Sequence, residues 1–449
     1  MDLTANGKLT YFAHEWADEN KPIGLAQTDR QFHFLATGRT GTGKSSLLLN
    51  KIVQDIRAGR GVGVIDPHGD LAEAVLPFIP PKRQQHLVYL NPTDLDHPVG
   101  LNLLARVGHT ERHLAVENLM AIFRNIWSDS WGPRMAYLLQ NTLGALLESP
   151  SNTLLSVTRM LSDDQFRQHI VRRVSDPMVR YYWEKEFAGF PDRLRAEVVS
   201  PVQNKVGAYL SNRLLRNILG QSKSTINFKN IIDQGHILIV NLAKGRLGEE
   251  AANLLGSFIV SALQQAAMAR ADVPEALRRD FYLYIDEFHN FTTQAFASGL
   301  SEIRKYHLSF ILAHQYLGQL SDSVRDAVLA NVGTMVFFRL GVTDAQVLAQ
   351  EFGPEWPVSN LVYLNPYEIH YKILRQGRVE GPYQAITLPP PQPPIEDVDA
   401  YTEKLLQESR RRYGRPRELV ESRIERFFDL EKAPPFKSPV RRKQGSGKR

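Results

Sequence analysis

The sequence predicts an α/β fold built on a mostly parallel sheet, with a long helix-rich segment set into it. Two observations carry this. Short apolar runs at residues 61–65, 86–90, 236–240, 281–285, 308–313 and 334–338 alternate with segments of helical period, as in a sheet wound with helices. A glycine-rich loop, Gly38-Arg39-Thr40-Gly41-Thr42-Gly43-Lys44-Ser45, lies between a strand pattern at 32–37 and a helix pattern at 44–58.

The loop matches G-x-x-x-x-G-K-[ST] at every fixed position. Apolar Leu47, Leu48, Ile52, Val53 and Ile56 recur at helical spacing behind it, and Gly59 stops the helix. Strand, glycine loop and helix form the context in which backbone N–H groups and a helix N-terminus hold phosphate. The expected nucleotide-binding set is Gly38, Thr40, Gly41, Thr42, Gly43, Lys44, Ser45 and Ser46. Lys44 would reach the terminal phosphates of ATP and the Ser45 hydroxyl would bind Mg²⁺.

The run at 281–285 ends in Asp286-Glu287. Asp286 is expected to hold Mg²⁺. Strand alternation places Glu287 on the opposite side of the pleat, where it would polarise water as a general base. Gln315, just past the run at 308–313, would sense the terminal phosphate or orient water. Arg339 ends the next run, and 369–374 with 383–388 around Gly377 read as a closing antiparallel hairpin. Other strands separating the Glu287 strand from the loop strand is the plan of motor-type ATPases. A guanine-reading Asn-Lys-x-Asp is missing, since Asn204-Lys205-Val206-Gly207 lacks the acid.

The 449 residues are more than one ordinary domain, and 43% apolar content permits a large core. With no cysteine there is no disulfide or thiolate metal site, which suits a reducing cytoplasm. No signal peptide and no apolar run long enough to span a bilayer is seen, so direct membrane insertion is not expected. The net charge of +6 resides in the tail, at Lys437, Arg441, Arg442, Lys443, Lys448 and Arg449.

Residues 106–230 read as an all-α module inserted between motor halves at 1–105 and 231–388. Its helices are expected at 110–127, 133–148, 153–161, 164–174, 177–187 and 193–210, with Ser151, Ser162 and Asp176 as caps. Trp127, Trp131, Arg134, Arg180, Tyr181, Tyr182 and Trp183 would stack bases or, more commonly, form core. Residues 389–449 comprise a proline-rich linker, helices at 397–413 and 418–430, and the basic tail.

Several strings together resemble the HerA–FtsK superfamily of ring ATPases, most closely the TraD/TraG-type coupling proteins of conjugation and type IV secretion. They are Arg30-Gln31-Phe32-His33, Val64-Ile65-Asp66-Pro67-His68-Gly69-Asp70-Leu71, Leu283-Tyr284-Ile285-Asp286-Glu287-Phe288, Glu302-Ile303-Arg304-Lys305-Tyr306, Leu312-Ala313-His314-Gln315 and Phe338-Arg339-Leu340-Gly341. The resemblance implies a RecA-like fold, a homo-hexamer around a pore, and ATP-driven DNA translocation. It implies that a neighbour's arginine completes each site, Arg304 first and Arg339 second. It further implies a relaxase or relaxosome and a secretion channel as partners, with a cytoplasmic protein peripheral at the inner membrane. Asp66 and Asp70 would line the nucleotide or interface side. Two alternatives stay open: a HerA-like motor serving repair or phage defence with a nuclease, and a nucleotide-gated adaptor for a protein cargo.

Overall fold

The computed structural model describes residues 9–105, 108, 112–353 and 356–428. The basic tail lies outside these residues. The strands are β1 (Leu9–Glu15), β2 (Asp18–Ala26), β3 (Phe34–Thr37), β4 (Gly61–Asp66), β5 (Leu87–Leu90) and β6 (Ile237–Asn241). They continue as β7 (Phe281–Ile285), β8 (Leu308–His314), β9 (Thr334–Phe337), β10 (Glu368–Arg375) and β11 (Arg378–Thr387). All join one sheet in the order β2-β1-β11-β10-β9-β3-β8-β7-β4-β6-β5.

From β9 to β5 the neighbours are parallel. These strands are buried on both faces, which is why they read as continuous apolar runs instead of alternating ones. β10, β11, β1 and β2 add an antiparallel flank. One strand, β8, separates the loop strand β3 from β7. The result is a RecA-like P-loop fold. The hairpin β1–β2 was not foreseen: β2 is a polar edge strand containing Pro22, tolerated because its outer N–H row is unpaired.

Between β5 and β6 the chain is helical, including Arg112–Ile126, Pro133–Glu148, Leu154–Ser162, Asp164–Val171, Pro177–Tyr181, Asp192–Ser211 and Arg213–Leu219. The expected single helix through 187 instead turns π-helical at Tyr182–Phe187. Two caps are corrected. Thr153, not Ser151, caps the third of these helices, with its Oγ1 accepting from Leu155 N–H at 3.2 Å. Asp163, not Ser162, caps the next, accepting from Phe166 N–H at 2.9 Å, because Ser162 is still the last residue of the preceding helix. Asp176 caps as expected.

Trp127, Tyr182 and Trp183 are core residues. The Trp127 indole donates to Tyr209 Oη at 3.0 Å and that of Trp183 to Asn141 O at 3.2 Å, so neither offers a free face. The buried apolar side chains of these helices are continuous with those beneath one face of the sheet, while a second cluster fills the other face.

The C-terminal helix Val398–Tyr413 lies along the outer strand β5, where the Ser409 hydroxyl accepts from Tyr89 N–H at 2.9 Å. Its basic run is spent locally: Arg410 pairs with Asp94 at 2.6 Å, Arg411 with Glu408 at 3.0 Å, and Arg412 donates to Gln84 O at 3.0 Å. The helix thus covers a sheet edge that would otherwise be open to pairing. The following helix, Arg417–Phe428, returns to the helical segment, where Glu421 pairs with Arg213 at 2.7 Å.

A buried charge cluster anchors the helix behind the loop. Asp55 takes two bonds from Arg30 at 2.6 and 2.7 Å, one from Arg60 at 2.8 Å and one from Tyr284 Oη at 2.6 Å. The Arg30 guanidinium also covers the Tyr282 ring at 3.7 Å. This ties the helix Lys44–Arg57 to β7 beneath the site. Burial pushes Asp55 up, but Arg30, Arg60 and Tyr284 together hold it below its ordinary range. Its ionised form therefore contributes stability above that range and loses it as pH falls through the lowered folded value. We expect Asp55→Asn to lower unfolding free energy by about 3–5 kcal/mol at neutral pH, since two guanidiniums lose their counterion. Urea unfolding across pH should show the wild-type advantage shrinking in acid.

Candidate nucleotide site

β3, β8, β7 and β4 run parallel, so their carboxyl ends meet at one level, and the loop 38–43 sits there. Gly38 N–H donates to His314 O at 3.3 Å, Arg39 N–H to Arg339 O at 3.0 Å, and Tyr367 N–H to Thr42 O at 2.8 Å. The Thr42 hydroxyl closes the loop on Arg39 O at 2.7 Å. Glycine is required at two places. A Cβ on Gly38 would stand 2.5 Å from the Phe338 Cβ, and Gly43 has φ +116° with the Tyr367 ring 2.9 Å from where its Cβ would be.

Lys44 is buried, and its Nζ donates to Gly38 O and to Arg39 O, the latter at 3.2 Å. Burial lowers its pKa, while Glu287 and Asp286 pull the other way. Its partners are thus neutral loop carbonyls, and an anionic oxygen would be a stronger partner. Ser45 opens to solvent beside it at the start of the helix.

β7 ends at Ile285, and Asp286 N–H still bonds β4 at Ile65 O, 3.1 Å away. Burial, then Glu287 and Asp66, push Asp286 up to about 7, against Lys44. Glu287 does not continue the pleat. It turns into the left-handed region at φ +44°, so the expectation that it projects from the strand's far side is corrected. The turn delivers its carboxylate sideways to β8, where Gln315 Nε2 donates to Oε1 at 2.8 Å. The other oxygen, Oε2, is buried without a hydrogen bond, with His289 Nδ1 3.5 Å away.

Asp66 does a different job from the one expected. Its two oxygens accept from His68 N–H at 2.8 Å and Ala72 N–H at 3.0 Å, holding the turn after β4, while Asp70 points to solvent. His289 and His314 were missed. His314 is fully buried against Phe288, and burial with His289 and Lys44 lowers it to about 3. Burial, Lys244 and His68 lower His289 to about 4. Both are therefore neutral near pH 7. Two positions after a strand-end Glu, His289 was visible in the string but carried no spacing rule.

Arg304 is not in this site. It precedes β8, whereas the loop follows β3, and parallel strands put these at opposite ends of the sheet. Its exposed guanidinium lies 4.8 Å from the centroid of the Phe32 ring. Arg339 lies next to the loop in the same chain through its backbone.

The residues fit a nucleotide phosphate with a divalent cation. Lys44 and the loop amides supply donors, Asp286 is raised by burial and by its neighbours Glu287 and Asp66 and so would gain from a cation, and Glu287 Oε2 lacks a partner. No group of three or more acidic or imidazole side chains gathers as a metal site among the described residues, so Asp286 and the exposed Ser45 would share the cation with the phosphate.

The family profile described as the type IV secretion-system coupling protein DNA-binding domain matches residues 21–355. Among solved structures, the unbound bacterial conjugative coupling protein TrwBdeltaN70 aligns at TM-score 0.60 and 15% identity, covering 82% of this chain and 87% of that one. Plasmid coupling protein TrwB with the non-hydrolysable ATP analogue ADPNP aligns at TM-score 0.60 and 16% identity, over 82% and 88%. VirB4 of Thermoanaerobacter pseudethanolicus aligns at TM-score 0.53 and 13% identity, over 86% and 96%. At these identities the likeness establishes the fold. Comparison with curated protein sequences gives no match. Among the described residues no helix is long and apolar enough to cross a membrane.

A raised carboxyl has a stability signature of its own. The native state keeps the Asp286 proton up to about pH 7 while the unfolded chain loses it near its ordinary value. Stability of the ligand-free protein should therefore fall as pH rises between the two and then level off. Asp286→Asn should raise unfolding free energy by ~1–3 kcal/mol at pH 8, a range that allows for the side chain's partial exposure, and change it little at pH 4. Thermal melts in EDTA at both pH values measure this.

Proposed function

Because the chain belongs to the type IV secretion-system coupling protein DNA-binding domain family, we propose that it is a ring-forming, ATP-driven DNA translocase that couples conjugative DNA transfer to a secretion channel. The observation that carries the catalytic part is the Gln315–Glu287 bond beside Lys44 and Asp286. TrwB has been solved with ADPNP and with ADP and Mg²⁺, which supports ATP and Mg²⁺ here. Bound Mg·ATP supplies the phosphoryl group to be transferred and neutralises part of its charge.

In this reading Lys44 leaves the loop carbonyls for phosphate oxygens, and Gly38, Thr40, Gly41, Thr42, Gly43 and Ser46 shape the backbone cradle. Ser45 and Asp286 hold the cation. Glu287 takes a proton from water at Oε2, the oxygen that Gln315 leaves open. Gln315 fixes the carboxylate and reports on the terminal phosphate from the end of β8. Arg304, at the far end of its own sheet, completes the site of the next copy in a homo-hexamer; Arg339 is the second candidate. The helical segment at 106–230, set between motor parts at 1–105 and 231–388, would meet DNA or the relaxosome. The helices Val398–Tyr413 and Arg417–Phe428 strap the two together, and attachment at the inner membrane runs through partners.

DNA-stimulated ATP hydrolysis, steeply weakened by salt, is the first expected result. Glu287→Gln should keep ATP binding and lose ~10²–10⁴-fold in kcat, and wild-type turnover by this variant would sink the assignment. Gln315→Ala should lower kcat with little change in KM, because it frees the base without touching the phosphate cradle. The shared site has its own test. Mixing inactive Glu287→Gln and Arg304→Ala chains should restore part of the activity, since some interfaces then pair an intact Glu287 with an intact Arg304. A purely intramolecular site would stay silent in the mixture.

A further inference from the structure

The helical segment holds a second concentration of positive charge, built on one aromatic ring. The helix Asp164–Val171, the π-helical turn Tyr182–Phe187 and the first turn of Asp192–Ser211 enclose an open cavity of about 350 Å³. Trp183 and Phe187, their ring centroids 4.8 Å apart, are buried in its wall. The Arg167 and Arg195 guanidiniums lie 5.0 and 5.4 Å from the centroid of the Phe187 ring.

Two cations on one ring repel. Burial and then Arg195 lower the Arg167 pKa, and the nearby His169 is lowered by burial, Arg173 and Arg172. The two arginines differ in what satisfies them. Arg167 donates to Met160 O at 3.0 Å and pairs with Asp164. Arg195 has a buried Nε without a hydrogen bond, and no carboxylate pairs with it among the described residues. An arginine held over a ring beside a second arginine, with its own fork unused, is arranged to meet an anion from outside. A π-helical turn in the wall adds to this, since such turns recur at functional sites.

The charge of the lining selects the kind of anion. Arg167, Arg172 and Arg195 face Asp164 and Glu184, which leaves a single positive charge. A phosphodiester carries one negative charge per group, so it balances the cavity, whereas a phosphomonoester dianion would overshoot. The rings are buried in the wall, so a base cannot stack on them.

We propose that this cavity is a phosphodiester-binding subsite, in which Arg195, with Arg167 and the exposed Arg172, holds the backbone of DNA without reading its sequence. The proposal rests on the DNA-translocase reading above and adds where the helical segment grips the strand.

The test is fluorescence anisotropy with the full chain, on labelled duplex and single-stranded DNA of two unrelated sequences, across a salt series. Arg195→Gln should weaken binding about tenfold on both sequences. It should also reduce the slope of log affinity against log salt by ~0.9 on duplex or ~0.7 on single strands. Arg195→Lys, which keeps the charge, should keep the slope. Arg172→Gln should lower the slope as well, and because it touches neither ring it separates lost contact from lost packing. Wild-type slopes in both glutamine variants, or a loss confined to one sequence, would overturn the subsite and leave the translocase reading standing. No DNA binding by the wild-type chain would remove both.

Discussion

The common level at which β3, β8 and β7 end is the constraint on which the site depends. Thr37 is in register with His314, and Ile285 with Leu312, so the chain leaves all three strands at one edge. The loop, Gln315 and the Asp286-Glu287 pair therefore converge without any long side chain having to reach. β8 lying between the other two is what lets Gln315 stand next to Glu287. Had β7 been the neighbour of β3, the amide would have fallen outside the site and Glu287 would have faced the loop directly.

This level holds only if the sheet and the helix behind the loop move as one body. The Asp55 cluster performs that role. It joins the last turns of the helix Lys44–Arg57 to the turn before β3 through Arg30, and to β7 through Tyr284. Lys51 shows how unbalanced the interior remains. It is buried with its amine unpartnered, 4.2 Å from the Phe34 ring centroid, and burial with Arg30 pushes it well below the ordinary lysine range. One carboxylate serves two arginines there, so the lysine is better accommodated as the neutral amine.

The strands and the loop were legible because doubly buried parallel strands leave apolar runs and because phosphate binding needs glycine at fixed spacing. What escaped were features set by tertiary contact. The left-handed turn at Glu287 breaks the alternation from which its direction was read. Core placement of Trp127, Tyr182 and Trp183 was the commoner reading of the sequence, but their partners, such as Tyr209 for Trp127, were not legible. The hairpin β1–β2 is polar along its outer strand and acquires meaning only as a sheet edge. The arginine cavity could not be read either, since Arg167 and Arg195 are brought together by the Phe187 ring and not by any sequence interval.

The same parallel geometry that assembles the site keeps Arg304 of the same chain away from it. In its own chain Lys44 is held by loop carbonyls, and Arg39 and Arg339 meet through their backbones. Arg304 is exposed on the Phe32 ring at the far end of the strands, and no side-chain rotation carries it along the length of the strands. In the proposed ring, Arg304 of one copy would meet the nucleotide site of the next, and the contact would be head to tail. Such a contact closes only as a ring or runs on as a filament. On the proposed reading, an arginine supplied by that neighbour would neutralise charge on the transferring phosphoryl group.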